Sequence, residues 1–370
     1  MPASRLVATY RIRTDADSID ERARAIALEQ SVEAPLAAIR DKTVLSDIVG
    51  EVRRIVDRGD AFEVEIALAA ATIGGDAGQL LNMLFGNTSL HDDVTLAAID
   101  LPEDLVAAFQ GPSHGLNGLR RRVEAGARPL TASALKPQGL PPDALAALAH
   151  DLALGGLDFV KDDHGLANQA FSAFEARVPA CAAALRAAQR VTGRPTRYVP
   201  SLSGDRAAME RQIALARGEG VDTFLIAPAI AGPSTLQALR RAHPDLAFLA
   251  HPTLTGARVA PDVYARLFRL FGADASIFPN YGGRFGYSEA TCGEIADALR
   301  ESWFDLKASA PVPAGGMSPK RVPEMLDFYG PDVILLIGGA LLAEPRENLV
   351  AETSAFVRAV GALQHGAAHV

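Results

Sequence analysis

From about residue 129 onward, short apolar runs alternate with longer stretches that have the apolar spacing of helices. Alternation of this kind predicts a parallel sheet covered by helices. Eight strands are predicted, at Thr131–Leu135, Leu157–Val160, Thr196–Val199, Thr223–Ile226, Ala247–Ala250, Ala275–Phe278, Leu306–Ala310 and Val333–Ile337. The helices predicted between them include Pro142–Leu154, Phe171–Val191, Asp205–Glu219, Gly232–Ala242 and Ser288–Arg300.

Eight strands in alternation with helices favour a closed (β/α)8 barrel of the TIM type. The alternative is a doubly wound open sheet. The chain has no Gly-x-Gly-x-x-Gly turn after the first of these strands, so a dinucleotide-binding sheet has little support. We therefore expect an α/β protein with a barrel as its larger part.

The residues before the barrel have the pattern of a separate α+β domain. Two strands, two helices and a further β-prone run are predicted there: Arg5–Ile12 and Ala61–Ala71, Asp17–Glu33 and Leu101–Phe109, and Lys42–Asp57. The predicted organisation is an N-terminal α+β domain, residues 1–125, followed by the barrel, residues 126–370.

Charge and cysteine content limit the possible partners and compartment. A formal net charge of −8 and a pI near 5.5 argue against nucleic acid or an anionic membrane as partner, although local cations can still bind an anionic metabolite. Cys181 and Cys292 lie far apart and form no disulfide framework. The N-terminus lacks the apolar core of a signal peptide, and no apolar run is long enough to span a membrane. We expect a soluble, cytoplasmic protein.

Candidate catalytic residues follow from the rule that a barrel enzyme builds its site at the C-terminal ends of its strands. Lys136 and Lys161 follow the first two strands, and His251 follows the fifth. Desolvation or a neighbouring cation can lower the pKa of a lysine enough for acid–base work. Lys161 is followed by Asp162, Asp163 and His164, and Asp and His side chains at a strand end can hold a divalent metal. The simpler interpretation is that these are solvated residues at the rim, or that His251 is a structural hydrogen-bond partner.

Paired glycines follow the last two strands of the predicted barrel. Gly316 ends one pair, and Gly338 and Gly339 form the other. Backbone N–H groups can approach an anion closely at such turns, although Gly-Gly is also ordinary turn chemistry. Arg284 adds a cation in the loop after the sixth strand. Because the pairs follow consecutive strands, they predict a phosphate site.

The string Gly155-Gly-Leu-Asp-Phe-Val-Lys-Asp-Asp163 resembles the metal-site motif of the RuBisCO large subunit. The resemblance implies that carbon dioxide carbamylates Lys161. It also implies that this carbamate binds Mg²⁺ together with Asp163 and with the residue that follows the string, His164. The segment Leu135-Lys136-Pro137 resembles the first-strand motif of the family, whose lysine is a catalytic acid–base.

The N-terminal part carries matches in the same order as the family. Met83–Asn87 and Ala27–Ser31 resemble the segments that supply an active-site asparagine and glutamate, here Asn87 and Glu29, and Phe109–Gly115 resembles the linker into the barrel. The resemblance covers nearly the whole chain. It implies a homodimer, or a higher oligomer, in which Glu29 and Asn87 of one subunit complete the barrel site of the other.

Three departures separate the chain from the carboxylases. His164 stands in place of a glutamate, Arg284 in place of the lysine of the mobile loop, and Gln138 in place of a second lysine after the first strand. Mg²⁺ prefers oxygen ligands, so another divalent metal is an alternative. Arginine does not replace lysine like for like. These departures predict that the chain does not fix carbon dioxide, and it is identified as a form IV, RuBisCO-like protein.

The resemblance also bears on the substrate. The glycines of the first phosphate site of the family are kept, whereas the arginine, histidine and serine of the second site appear as Pro252, Phe278 and Ala314. These replacements remove a cation and two hydrogen-bonding groups and leave an apolar wall. We therefore expect a small substrate with one phosphate and a less polar group at its far end.

RuBisCO-like enzymes begin by removing a proton next to a carbonyl, which gives a metal-stabilised enediolate. Known outcomes are isomerisation of 5-methylthioribulose 1-phosphate, enolisation of 2,3-diketo-5-methylthiopentyl 1-phosphate in methionine salvage, and decarboxylation of 3-oxo-isoapionate 4-phosphate in apiose breakdown. The apolar second site favours the first two, and His164 with the short chain favours the isomerase. The alternative from another class is a non-catalytic ligand-binding homologue, against which the joint presence of Lys136, Lys161, Asp163 and His251 argues.

Overall fold

The computed structural model describes residues 4–362. Its N-terminal sheet is antiparallel, with strand order β2-β3-β1-β4. The strands are β1 (Arg5–Ile12), β2 (Glu51–Asp57), β3 (Phe62–Ala69) and β4 (Val94–Asp100). Alternate residues of β1 are buried, which gives the sheet one apolar face, and this face packs on helices α1 (Ile19–Glu29) and α2 (Ala77–Phe85).

Most of the N-terminal elements agree with the sequence patterns. Strand β1 has the predicted bounds, β3 lies within Ala61–Ala71, and the β-prone run ends in β2. Strand β4 was not predicted. It lies at the edge of the sheet and contains two alanines, so its alternation is weak. The helix predicted over Leu101–Phe109 is the shorter α3 (Glu103–Ala107).

Helix α4 (Gly115–Arg122) leads into the barrel and closes one end of it. Leu116 and Leu119 of this helix belong to the same apolar cluster as the inward-facing side chains of the barrel strands, among them Phe159 and Leu225. The N-terminal mouth of the barrel is therefore filled by side chains, and only the C-terminal mouth is left for a ligand.

The eight remaining strands form the predicted parallel barrel, in the order β7-β6-β5-β12-β11-β10-β9-β8. They are β5 (Leu130–Leu135), β6 (Phe159–Asp162), β7 (Arg197–Val199), β8 (Thr223–Ile226), β9 (Ala247–Ala250), β10 (Ala275–Pro279), β11 (Ala310–Ala314) and β12 (Ile334–Leu336). An isolated bridge between Ser201 and Leu225 joins the two ends of the sheet. The (β/α)8 prediction is confirmed; the domain boundary at residue 125 stays a prediction.

The seventh strand of the barrel was predicted in the wrong place. It spans Ala310–Ala314, whereas Leu306–Ala310 was expected. The strand contains Pro311 and Pro313, which lack a backbone N–H and normally argue against a strand interior. The observed strand leads straight into the predicted glycine pair.

Helices cover the outer face of the barrel and connect its strands. They are α5 (Pro142–Leu154), α6 (Phe174–Thr192), α7 (Arg206–Gly218), α8 (Pro228–Ala231), α9 (Pro233–Ala242), α10 (Pro261–Leu270), α11 (Glu289–Arg300), α12 (Val322–Tyr329), α13 (Gly339–Leu342) and α14 (Leu349–Ala362). Shorter turns of 3-10 or π type are Leu36–Ala38, Val44–Ile48, Ala70–Thr72, Asn87–Leu90, Pro319–Arg321 and Arg346–Asn348. Across residues 4–362, none of the helices has the length and apolar character that crossing a membrane requires.

Candidate active site

Lys161 lies at the C-terminal end of β6 and is almost completely buried. Side chains alternate along the strand, so Phe159 belongs to the interior cluster of the barrel and Val160 to the layer under the helices. Lys161 therefore points towards the barrel axis. Burial, together with the nearby charge of Lys136, lowers the pKa of its amine to about 8, although Asp163 opposes this.

Lys136 at the end of β5 meets Asp163 just beyond β6. The Nζ atom of Lys136 lies 3.1 Å from Oδ2 of Asp163. Burial acts to raise the pKa of the Asp163 carboxyl, but the His164 hydrogen bond and the charges of Lys161 and Lys136 outweigh it and hold that pKa well below its usual range. Asp163 is therefore an anion at neutral pH, and three of the predicted catalytic and metal-binding residues lie together.

His164 and His251 form a stacked pair at the same mouth. Their ring centroids are 4.2 Å apart with an interplanar angle of 17°, and Nδ1 of His164 lies 3.4 Å from Asp163. Burial, aided by the charges of Lys161 and His164, lowers the pKa of His251 to about 2. Nδ1 of His251 accepts the backbone N–H of Thr253 at 3.2 Å, so the proton of the neutral ring is on Nε2.

The residues present fit a metal site only if Lys161 is modified. Within residues 4–362, no three His, Cys, Asp or Glu side chains cluster closely enough to hold a metal ion. Asp163 and His164 supply two donors. The third would be a carbamate on Lys161, whose lowered pKa increases the fraction of neutral amine that can react with carbon dioxide. The imidazole of His164 suits metals softer than Mg²⁺.

Gln138 joins the loops after β5 and β6. Its Nε2 donates to the backbone carbonyl of Gly165, next to His164. A Cβ atom at Gly165 would lie 2.8 Å from that amide, so a side chain there would displace Gln138 from this position. Gln138 therefore holds the loop that carries His164.

The glycines predicted to bind phosphate differ in whether the packing of the protein itself requires glycine. Gly316 has φ +66°, and a Cβ there would lie 2.8 Å from the backbone of Gly283, so glycine is needed for the close approach of the loops after β10 and β11. A Cβ at Gly338 or Gly339 would meet no atom within 4 Å. Packing does not explain these two glycines, whereas a bound anion would use the open space.

Arg284 lies on the exposed loop after β10, the loop that contacts the Gly316 turn. Its guanidinium is 4.8 Å from the ring centroid of Phe285. The prediction that Arg284 holds the substrate phosphate is not tested by this geometry and stays a prediction.

The apolar wall predicted at Pro252 and Phe278 stays a prediction, and the structure shows what surrounds Phe278 on β10. Ile277 belongs to the interior cluster of the barrel, whereas Phe278 belongs to the layer between strands and helices, where its ring packs 6.1 Å from that of Tyr329. A shift of one residue along a strand changes the face. Pro252 and Phe278 do line one small apolar pocket, together with Tyr264, Phe268 and Tyr287.

Glu29 and Asn87 lie side by side on the N-terminal domain. Nδ2 of Asn87 donates to Glu29 at 2.8 Å and to Glu33 at 2.9 Å. The buried Gln30 fixes this arrangement, because its amide donates to the carbonyl of Met83 at 2.8 Å. Asn87 is exposed. The two residues predicted to act together are therefore adjacent; their role in the site of another subunit stays a prediction.

Sequence reasoning missed the layer behind the site. Asp162, Arg177 and Tyr198 form a buried polar cluster under β6. One signal was available: Arg177 follows Phe174 by three residues and precedes Cys181 by four, which places an arginine on the apolar face of α6. The apolar spacing of α6 does not indicate which residue pairs with Arg177.

The comparisons with known proteins agree with this geometry. The family model for the ribulose bisphosphate carboxylase large chain, catalytic domain, matches residues 115–369. The chain is 60% identical over 367 residues to the 5-methylthioribulose-1-phosphate isomerase of Rhodospirillum rubrum, covering 98% of each. It is 31% identical to the 2,3-diketo-5-methylthiopentyl-1-phosphate enolase of Geobacillus kaustophilus, over 98% of this chain and 93% of the enolase.

Among solved structures, the RuBisCO-like protein of Rhodopseudomonas palustris superposes with a TM-score of 0.90 at 48% identity, covering 97% of this chain and 98% of that one. Family model, curated relatives and fold point the same way, and all three extend through the residues of the barrel mouth. The chain therefore belongs to the RuBisCO large-subunit superfamily, as a form IV, RuBisCO-like protein.

Proposed function

We propose that the protein is an isomerase of 5-methylthioribulose 1-phosphate and does not fix carbon dioxide. The observation that carries this proposal is the 60% identity to the Rhodospirillum rubrum isomerase across 98% of both chains. The barrel mouth contains groups that proton transfer next to a carbonyl requires: a lysine at the rim, a partly buried carboxylate and a neutral histidine.

Lys136 is the proposed proton-transfer residue. Its side chain is 38% exposed at the barrel mouth, so it can reach a bound substrate while Asp163 orients its amine from 3.1 Å. His251 remains neutral and keeps Nδ1 as an acceptor, so its Nε2–H is a donor for a substrate oxygen. The neutral imidazole can stabilise negative charge on that oxygen through this hydrogen bond, and it does not have to be deprotonated beforehand.

A divalent metal is proposed as cofactor, held by Asp163, His164 and a carbamate on Lys161; when bound, it supplies positive charge that stabilises a developing enediolate. Mg²⁺ is the family metal, and the imidazole of His164 makes Mn²⁺, Co²⁺ or Zn²⁺ an alternative. The role of this chain is to keep Asp163 ionised and Lys161 reactive, as their pKa shifts favour.

The substrate is proposed to lie across the mouth with its single phosphate at Gly316, Gly338 and Gly339, where Arg284 adds a cation. The open space beside the last two glycines supports this orientation. The methylthio end would then lie at the opposite side, against the predicted apolar wall of Pro252 and Phe278. An apolar wall there favours a thioether over a second phosphate.

We also propose that the protein acts in the cytoplasm as a homodimer or higher oligomer. In this assembly, Glu29 and Asn87 of one subunit complete the barrel site of another. The support is that these two residues form one hydrogen-bonded, partly exposed pair on the N-terminal domain, separate from the lysines of the barrel mouth.

The second candidate reaction is enolisation of 2,3-diketo-5-methylthiopentyl 1-phosphate, since the Geobacillus kaustophilus enolase is a relative at 31% identity. Both reactions begin with the same proton transfer. The higher identity to the isomerase, over nearly the full chain, favours isomerisation.

The test is incubation with 5-methylthioribulose 1-phosphate in D₂O with a divalent metal and bicarbonate, followed by ¹H and ³¹P NMR. We expect an isomeric phosphate ester with solvent deuterium, and a loss of rate of about 10²-fold or more in Lys136→Met. The diketo phosphate, 3-oxo-isoapionate 4-phosphate and ribulose 1,5-bisphosphate are the comparison substrates. Turnover of one of these in preference, or binding without exchange, would contradict the proposal.

A further inference from the structure

Asp162 lies between two residues of the candidate site but points away from it. Lys161 and Asp163 face the barrel mouth, and because side chains alternate, Asp162 faces the helix layer with no exposed surface. Its carboxylate accepts the hydroxyl of Tyr198 at 2.6 Å, the Nε–H of Arg177 at 3.1 Å and the backbone N–H of Ser201 at 3.1 Å. Every contact of this carboxylate therefore leads to a neighbouring element.

Arg177 extends the same cluster into the loop that follows β6. Its guanidinium is fully buried. One nitrogen donates to the carbonyl of Ala167 at 2.9 Å, and another donates to the carbonyl of Ser172. The loop from residue 163 to residue 173, which carries Asp163 and His164, is thus held at two points by the arginine that pairs with Asp162.

An ion pair without solvent contact is a costly way to fill a core. Removing two charges from water carries a large desolvation cost, and apolar side chains of similar volume often give equal or greater stability. Stability alone therefore does not account for Asp162 and Arg177. What an apolar pair cannot supply is a set of directed hydrogen bonds between β6, α6, β7 and the loop.

We propose that Asp162, Arg177 and Tyr198 are positioning residues, which act through Lys161 and Asp163 by fixing the end of β6 and the loop after it. The effect on turnover rests on the proposed function. The effect on the loop does not, and the two can be measured separately.

The test compares Arg177→Met with Arg269→Met. Arg269 is also fully buried, but its guanidinium donates to backbone carbonyls near the opposite end of the barrel, among them those of Lys307 at 3.0 Å and Leu306 at 3.0 Å. We expect Arg177→Met to lower kcat about 10- to 100-fold with KM changed less than about threefold, and Arg269→Met to keep kcat within about twofold. Thermal unfolding monitors the cost to folding of each change.

Hydrogen exchange followed by mass spectrometry is the second measurement. In Arg177→Met, the peptide that covers residues 163–173 should exchange faster, while in Arg269→Met it should match the wild type. Equal exchange of this peptide in both variants would overturn the inference, whatever the substrate. If the wild type does not turn over the isomerase substrate, the proposed function fails while the exchange comparison still decides the inference.

Milder changes keep the test usable if Arg177→Met does not fold. Tyr198→Phe removes one hydroxyl and should lower kcat about three- to tenfold, and Arg177→Lys, which keeps the charge, should retain more activity than Arg177→Met. A wild-type kcat in Tyr198→Phe, together with unchanged exchange of the loop, would also overturn the inference.

Discussion

The two ends of the barrel both contain buried charged groups, but they use them differently. At the N-terminal end, Arg240 and Arg269 donate to backbone carbonyls, and Asp274 accepts the backbone N–H groups of His114 and Gly115 at 2.7 and 2.8 Å. The guanidinium of Arg269 also lies 5.8 Å from the ring centroid of Trp303. The hydrogen-bonding groups of these charged side chains are therefore satisfied mainly by the backbone.

At the C-terminal end, the charged side chains face one another. Lys136 contacts Asp163, and the two stacked histidines lie beside them. Lys161 lies there as well, although its Nζ also donates to the backbone carbonyl of Asp162 at 3.0 Å. Side-chain pairs of this kind can exchange partners when a ligand enters, whereas hydrogen bonds to fixed backbone groups cannot do so without local unfolding. Burial of a charge therefore does not by itself identify a catalytic site. Here the candidate site is the place where several charged side chains meet at the open mouth of the barrel.

The largest effect is expected from Lys161→Ala. Loss of the buried amine removes both the carbamate-forming group and a cation beside Asp163, so kcat for the isomerase reaction should fall by about 10³-fold or more. The folded state should not lose stability through the charge, because burial of an amine is itself unfavourable. Steady-state assays and thermal unfolding check both parts. Turnover within tenfold of the wild type would remove Lys161 from the site.

Gly338→Ala tests whether the open space at the mouth holds a phosphate. A Cβ there meets no protein atom within 4 Å, so the melting temperature should stay unchanged while KM rises about tenfold. The comparison variant is Gly316→Ala. Its new Cβ would meet the backbone of Gly283, so the melting temperature should fall in addition to the rise in KM. Equal KM values for Gly338→Ala and the wild type would place the phosphate elsewhere.

Asp274→Asn probes the opposite end. The Asp274 carboxylate is fully buried and accepts three backbone N–H groups, the third from Phe248 at 3.0 Å. Replacement of one acceptor oxygen by an amide leaves a buried donor opposite another, so the free energy of unfolding should fall by about 1–3 kcal/mol. Denaturant unfolding measures this loss. Because no catalytic group is touched, kcat should stay within about twofold; a larger decrease would break the distinction between the two ends.

The smallest effect concerns His114 and acid. Burial first, and then the charge of Arg122, lower the pKa of His114; Arg240 adds to this and Asp274 opposes it. The unfolded chain therefore binds this proton more readily than the folded protein does, and stability is lost as pH falls below about 6.5.

His114→Asn removes this proton-binding site. The difference in melting temperature between about pH 7 and pH 5.5 should therefore be smaller in the variant than in the wild type. An unchanged difference would show that other groups cause the acid sensitivity.

Much of this molecule could be predicted from local patterns. The alternation of strands and helices predicted the barrel, and the bounds of Thr223–Ile226 and Ala247–Ala250 were correct to the residue. Lys136, Lys161 and Asp163 were predicted to lie together because the C-terminal ends of parallel strands meet at one mouth. The barrel and the grouping of these residues follow from local patterns and from the order of the strands. They can therefore be predicted even for residues that lie far apart in the sequence.

The failures have specific physical causes. The prolines of β11 concealed its position, because proline lacks a backbone N–H and is unusual inside a strand. The pairing of Asp162 with Arg177 depends on how α6 packs against β6, and no local pattern encodes this. The role of Glu29 and Asn87 depends on a second chain and stays a prediction.

Trp303 is the single tryptophan of the chain, and its contact with Arg269 places the indole near the closed end of the barrel. Intrinsic fluorescence at the tryptophan wavelength is therefore a local signal from that end. Substrate binding at the mouth should change this fluorescence little. Denaturation should change it when the closed end of the barrel unfolds. Comparison of such a curve with the loss of turnover would reveal whether the mouth disassembles before the rest of the barrel, without any added label.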